Sequence, residues 1–526
     1  MRDNDNDMQD SKRDSKRHYK NSRDRHVRDR HVRDRHVRDR HIQGSEIHDN
    51  DVHDNDVHDN DVHDNDVQND NVQDDCYEAQ YIQNNRIQDN RIEDNTIESS
   101  QHSDGHWSPI TVNAARLHHS IETLGKIGQN AVGGLDRTTF TPAELEARAW
   151  LIDELERLGL DVSLDSAANI WARRQGSERG LPPIVFGSHI DTVPSGGRYD
   201  GALGVLLSLE IMKVLMERGI KTRHSLELVS FSAEEPNPFG LSTFGSRSVA
   251  GKLGSADLEG VQNEEGVMLV DALRLAGGNP DRFEACRRST NDMAAFLEVH
   301  IEQGKRLQAR NIPVGIVTSI TGIYREEVVV LGEANHAGTT LMSDRMDALM
   351  GASELMLAFE AECRMHPEEE TVGTIGRIHN EPNAANIIPG KVSFHMEIRG
   401  RSRVHIQQVL DAWELHASRI CLERGLHLTR RLLLDQSPVA MDDTVITLCR
   451  REAEGLGYSH TLLGSMAGHD AAHMAALTRA GMLFVPSLGG KSHCPEEESL
   501  IEDIEKVGNV LLHTILSLDQ QENEGE

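Results

Sequence analysis

From Val27 to Val72, and again from Ile82 to Ile97, a valine or isoleucine returns at every fifth position, as at Val32, Val37, Ile42, Ile47 and Val52. That period matches neither the helical nor the strand repeat, so these side chains form no continuous buried face in either. A solenoid of stacked pentapeptide turns does use it, but requires small or apolar residues two positions before each central one. Arg25, Arg30, Arg35, Asn50, Asn55 and Asn60 stand there instead. The expectation for residues 1–107 is a disordered, low-complexity repeat tail.

Charge divides this tail. Residues 1–40 carry 14 Lys+Arg against 9 Asp+Glu, whereas residues 41–107 carry 2 against 18. The basic run 23–40 is interleaved with aspartates and has no aromatics, which favours a solvated segment over a nucleic-acid site. His53, His58 and His63 read as incidental repeat residues rather than metal ligands. Of the net charge of −31, −20 falls on the rest of the chain, which argues against nucleic acid or an anionic membrane surface as main partner. No apolar run approaches the ~20 residues of a membrane span, and the N-terminus has no signal-peptide hydrophobic segment. The cysteines (Cys76, Cys286, Cys363, Cys421, Cys449, Cys494) are far apart with no CxxC pair, which predicts a cytoplasmic protein without a thiolate zinc site.

From about Ile110 the pattern changes. A helix is expected over Pro142–Leu158, with Thr141 as cap and Glu144 three residues after it. Ile184–Phe186 is a short apolar run leading into Gly187-Ser188-His189, a glycine-rich turn and an apolar helix Gly201–Met216. Leu226–Phe231 repeats the theme, with Ser232–Phe239 as its loop, and a third strand, Phe296–Ile301, carries His300. Strands alternating with helices predict an α/β domain, in which ligands gather beyond the strand ends, where His189, Glu234 and Glu235 fall. Residues 314–427 read as an α+β insert: strand Arg325–Leu331, helix Asp344–Glu362, strands Thr371–Ile378 and Lys391–Ile398, and helix Arg403–Arg424. Val392, Phe394, Met396 and Ile398 alternate with Ser393, His395, Glu397 and Arg399, giving one buried and one polar face. The chain then returns to the first domain, because His493 follows the apolar strand Met482–Val485. The expected catalytic domain is 108–313 plus 428–520, with an acidic end at 521–526.

The chemistry lies in Gly187-Ser188-His189-Ile190-Asp191, Tyr199-Asp200-Gly201 and Ala233-Glu234-Glu235-Pro236. An HxD on extended backbone puts imidazole and carboxylate on one side, so Asp191 is expected to accept the His189 ring proton and fix its metal-binding tautomer. Asp200, on a glycine-flanked turn, is free to bridge two cations, with Glu235 on one of them and Glu234 left to take a proton from a bridging water. Alone, an HxD is commonly a surface hydrogen-bonded pair and Glu-Glu a solvated helix start. Their joint placement after hydrophobic strands points to metal, because an unpaired charge there is costly.

These motifs, with Leu297-Glu298-Val299-His300-Ile301-Glu302-Gln303-Gly304, Asn335-His336-Ala337-Gly338-Thr339-Thr340, and the segments 383–390 and 489–497, resemble the M20-type metallohydrolases over roughly Ile110 to Leu518. Within them the resemblance is to the amidase, hydantoinase and carbamoylase branch, since His300 stands where peptidase relatives present a carboxylate. The resemblance implies a metallopeptidase-like catalytic domain with an inserted α+β lid and dimerisation domain. It implies two divalent ions per subunit, zinc or manganese first with cobalt or nickel open. His189, Asp200 and His300 would hold one ion; Asp200, Glu235 and His493 the other; Glu234 would be the general base. Gln303, His336, Asn386 and Arg399 would contact substrate, His336 from the partner subunit of a homodimer formed through residues 314–427. His336 would stabilise the oxyanion and Arg399 offer a fork to a carboxylate. Gly489 and Gly490 would let the backbone approach substrate, and Asp191, His469 and Asp470 would support the ligands. Locally, His336 also reads as a turn histidine and Arg399 as an ion-pair partner. Leu341 and Met466 replace a proline and a glycine common in the family, which bears on substrate size.

The expected reaction is hydrolysis of a linear ureido or amide C–N bond in a small carboxylate-bearing substrate. An N-carbamoyl-L-amino acid is first choice, allantoate second, and a dipeptidase or aminoacylase third. A noncatalytic metal-binding module is the rival from another class, disfavoured by the full ligand set with Glu234.

Overall fold

A computed structural model describes residues 110–366 and 370–521. The expected repeat tail and the acidic end beyond Gln521 lie outside them. The first strands are β1 (Asp161–Leu164), β2 (Ile170–Arg174), β3 (Ile184–His189), β4 (Leu226–Phe231), β5 (Ala295–Ile301) and β6 (Val314–Ile320). There follow β7 (Gly322–Leu331), β8 (Asn335–His336), β9 (Val372–Glu381), β10 (Ile387–Ile388), β11 (Lys391–Gly400) and β12 (His427–Gln436). The last are β13 (Val439–Ala440), β14 (His460–Ser465) and β15 (Ala480–Val485).

A nine-stranded mixed sheet runs β1-β2-β4-β3-β5-β15-β6-β13, with β14 also pairing to β6. Its centre, β4-β3-β5-β15, is parallel, so four carboxyl ends lie along one edge. The side chains of these strands are buried throughout, which explains their predominantly apolar sequences. The helix Ala202–Glu217 is apolar around most of its circumference because it is buried too, sharing one core with the helix Ile501–Gln520 and the sheet. The helix expected at Pro142 spans Pro142–Arg157, and Thr141 caps it by accepting from the Glu144 N–H. The Glu144 carboxylate does not return to the cap; buried, it meets Arg148 one turn on at 3.4 Å.

The second sheet is antiparallel, β12-β7-β11-β9, with the helices Ala348–Met365 and Arg403–Arg424 packed on one face around Trp413. β11 alternates as its sequence predicts, with Val392, Phe394, Met396 and Ile398 buried. Two strands differ from expectation. β6 belongs to the large sheet, so the chain leaves it after Ile320 rather than at residue 314, and the small sheet takes its edge strand from His427–Gln436, beyond residue 427. A continuous apolar run such as Val314–Val317 carries no period that assigns it to either sheet. The neck of the insert is closed by pairing, since Val439 lies opposite Ile320.

Candidate metal centre

The carboxyl ends of the four parallel strands deliver most of the site. His189 ends β3, His300 is next to last in β5, Glu234 and Glu235 follow β4, and His493 follows β15. Asp200 lies at the start of the helix after β3, where Gly201 is its N-cap with φ 62°. A Cβ on Gly201 would sit 2.2 Å from the His189 ring, so only glycine lets backbone and imidazole approach this closely.

Asp200 turns its two oxygens to two different sets of donors. Oδ1 lies 3.1 Å from His300 Nε2 and 3.7 Å from His189 Nε2. Oδ2 lies 3.4 Å from His493 Nε2, which is also 3.2 Å from Glu235 Oε1. Candidate donor atoms within each triad fall within 4.8 Å of one another. The imidazoles are oriented for binding: His189 Nδ1 faces the Asp191 carbonyl at 3.0 Å and His300 Nδ1 the Ile301 carbonyl at 3.0 Å. Carbonyls only accept, so the Nδ1 atoms carry the hydrogens and the Nε2 lone pairs point into the cluster. Among the described residues no lysine or arginine ion-pairs with Asp200, Glu234 or Glu235; their ion-pair partners are imidazoles. Buried carboxylates facing imidazoles, with no lysine or arginine among their ion-pair partners, suit divalent cations, and two triads sharing Asp200 are consistent with a dinuclear site.

Asp191 serves differently from the sequence expectation. Its carboxylate is 3.5 Å from His189 Nδ1, behind its own carbonyl in that contact. Instead it accepts from the N–H groups of Glu234 (3.2 Å) and Glu235 (3.1 Å) and from Thr139 Oγ1 (3.0 Å). It therefore fixes the turn that splays the two glutamates. Glu497 clamps the other side: buried, its Oε1 accepts from the N–H groups of Tyr199 (2.9 Å) and Asp200 (3.0 Å), while Ser492 donates to Asp200 Oδ2 at 2.8 Å. Behind His300, Glu298 accepts from Ser188 Oγ (2.7 Å) and the Ala471 N–H (2.9 Å). The roles of Glu497 and Glu298 escape sequence reasoning, although a glutamate inside the apolar run of β5 is itself a signal. His469 is buried with its ring 4.5 Å from that of His300, and Asp470 is buried with Oδ2 unpartnered.

Electrostatics follow from this crowding. Burial pushes the Glu234 carboxyl well above its ordinary range, and nearby Asp470, Glu235 and Asp191 add to the shift against His189. Hydrogen bonds to Asp200 and Glu235 raise His493 to about 11. Burial and the neighbouring Glu298 raise Asp470 to about 8.

The centre opens into a cavity of 410 Å³ that also holds Gln303, Arg325, Arg399, Leu434 and Gln436. Gln303 and Arg399 thus join the ligands. His336 and Asn386 do not: both are exposed, His336 in β8 and Asn386 in the turn before β10, and neither lines the cavity. Gly490 packs against Gly304 and Lys305, and the Gly489 N–H donates to Gln308 Oε1 at 2.8 Å; neither glycine lines the cavity.

Residues 185–517 match the family model described as peptidase family M20/M25/M40. The chain belongs to that family. Within the M20 family it is 36% identical over 411 residues to the N-carbamoyl-L-amino acid amidohydrolase of Geobacillus stearothermophilus, covering 78% of this chain and 100% of the relative. It is also 36% identical over 385 residues to the allantoate amidohydrolase of Bacillus subtilis strain 168, covering 73% and 93%. A crystal structure of a hydantoinase/carbamoylase family amidase from Burkholderia multivorans superposes with a TM-score of 0.73 at 32% identity, covering 78% of this chain and 99% of the other. This M20 protein is therefore an amidohydrolase of the hydantoinase/carbamoylase branch, acting on C–N bonds other than peptide bonds.

Proposed function

We propose that the protein hydrolyses the ureido C–N bond of an N-carbamoyl-L-amino acid, releasing amino acid, ammonia and carbon dioxide. The observation that carries this reading is that one cavity of about 410 Å³ is lined by Asp200, Glu235, His300 and His493 of the two triads together with Glu234 and Arg399. His189, Asp200 and His300 would hold one divalent ion and Asp200, Glu235 and His493 the other. Bound there, such ions would polarise the substrate carbonyl and lower the pKa of water.

Glu234 takes the proton of the attacking water and passes it to the departing nitrogen. Its Oε2 is 3.6 Å from His189 Nε2, beside the first triad, and a buried carboxyl with raised affinity for protons is suited to receive one. Gln303 donates from Nε2 to Asp200 Oδ2 at 2.7 Å and has a buried, unpartnered Oε1 to offer a substrate N–H. Arg399 points its unengaged Nη2 at the carboxylate. His336 and Asn386 serve the neighbouring subunit of a homodimer. The His336 Nδ1 accepts from the N–H groups of Gly338 (3.0 Å) and Thr339 (3.2 Å), so Nε2 carries the hydrogen and can donate to an oxyanion. β9 is an edge strand in contact with the helix Ala348–Met365, whose exposed Met350 and Leu357 offer apolar surface suited to a second copy. Allantoate is the second reading, since it also presents a carboxylate to Arg399 and a relative of equal identity acts on it.

An ammonia-release screen of the metal-reconstituted protein over carbamoyl amino acids, allantoate and dipeptides tests the assignment. Turnover of dipeptides alone would overturn it. Glu234→Gln should retain its metal while losing about 10²–10⁴-fold in turnover; wild-type rates in that variant would remove Glu234 from its role.

A further inference from the structure

The lid sheet presents an ordered grid of side chains to the cavity. β7 pairs Arg325 with Glu397 of β11 on one side and Leu434 of β12 on the other; two residues along, Ile323 pairs with Arg399 and Gln436. Directly paired residues share a face, so these six form two rows of three, and the intervening Ile398 faces the buried lid core. The register on β12 shifts between Leu432 and Leu434, a bulge that leaves Leu433 out and turns Leu434 and Gln436 to the cavity side. All but Glu397 line the cavity that contains His300, Gln303 and His493.

Two guanidiniums on this wall share one carboxylate. Glu397 Oε1 accepts from Arg399 Nε at 2.8 Å, and Oε2 accepts from Arg325 Nε at 2.7 Å and from its Nη2. Arg399 Nη1 donates to the Met466 carbonyl at 3.2 Å. The fork of Arg399 is therefore largely engaged within the protein, leaving Nη2, while Arg325 retains Nη1; neither of these atoms has a partner among the described residues. Two cations against one anion leave one positive charge over, which a single ligand carboxylate balances. The side chains of Arg325 and Arg399 are 40% and 33% exposed, open enough to be reached from the cavity.

We propose that Arg325 is a second binding contact for the substrate's carboxylate, which it and Arg399 bracket while Glu397 holds both guanidiniums in place. The site is then specific for a ligand with one carboxylate beside its ureido or amide group, and Ile323 and Leu434 offer an apolar wall to the adjoining substituent. This rests on the carboxylate-bearing substrate of the preceding section.

The test is a calorimetric titration of the full-length Glu234→Gln protein, loaded with Mn²⁺, with N-carbamoyl-L-alanine and with its carboxamide. Adding Arg325→Met should weaken binding of the acid by about tenfold or more and leave the carboxamide unchanged. In an Arg399→Met background it should still weaken the acid, because the contact is direct. Equal losses for acid and carboxamide, retained acid affinity, or no further loss in the Arg399→Met background would overturn the assignment of Arg325. If the parent shows no preference for acid over carboxamide, the carboxylate reading of the whole site fails; if it has that preference and Arg325→Met keeps it, only the role of Arg325 fails.

Discussion

His493 is 45% exposed yet held between two buried carboxylates, so it both meets solvent and feels strong negative charge. With its pKa raised to about 11, the metal-free fold holds a proton on it at neutral pH. An ion binding through Nε2 must displace that proton. Metal affinity should therefore rise with pH up to about 11, about tenfold per unit for each proton released. Titrations in two buffers of different ionisation enthalpy will measure the release; a buffer-independent heat would contradict it. His493 shares a left-handed backbone (φ 57°) with Gln303 (φ 57°) and Ala233 (φ 54°). Such conformations are costly for non-glycine residues and persist where the surroundings over-determine them. Here Asp191 ties down the glutamates after Ala233 and Glu497 ties down Asp200. His189, Glu234 and Glu235 are legible from sequence because each follows an apolar strand within a few residues, and Asp200 because it sits on a glycine-flanked turn before an apolar helix. Glu497 is not, because the backbone it clamps lies 297 residues away, and Arg325 is not, because its meaning depends on cross-strand register.

At the scale of elements, strands with clear alternation or capped helices are readable: β11 and the helix Arg403–Arg424 fall where the pattern puts them. β6 and β12 are assigned to the wrong sheet or missed for opposite reasons. β6 opens with Val314–Val317, which has no two-residue alternation, and β12 carries Arg430, Arg431, Leu432 and Leu433 on an edge with a bulge, which erases that period. The lid has its own core, so a defect there should remain local. Trp413 is fully buried and donates from Nε1 to the Leu355 carbonyl at 3.0 Å. Trp413→Ala should cost about 3–5 kcal/mol, read from denaturant unfolding of the lid. Metal content should hold, since every ligand belongs to the other sheet; simultaneous loss of metal would show that the two sheets unfold together.

At the scale of the molecule, the exposure of His336 and Asn386 outside the cavity lining lets a mixing experiment test the proposed homodimer. Inactive Glu234→Gln and inactive His336→Ala proteins, unfolded and refolded together, should recover about a quarter of the wild-type rate. Half of the randomly assorted dimers are then mixed, and each mixed dimer has one intact site. No recovery would show that His336 acts within its own subunit. The sharing of Asp200 between two triads has a further consequence in time. His189 and His300 lie on the neighbouring strands β3 and β5, whereas His493 arrives only after the lid has been made. Chain order thus delivers His189, Asp200, Glu235 and His300 ahead of the lid and His493 behind it, so the second triad is complete only once the chain has returned to the large sheet.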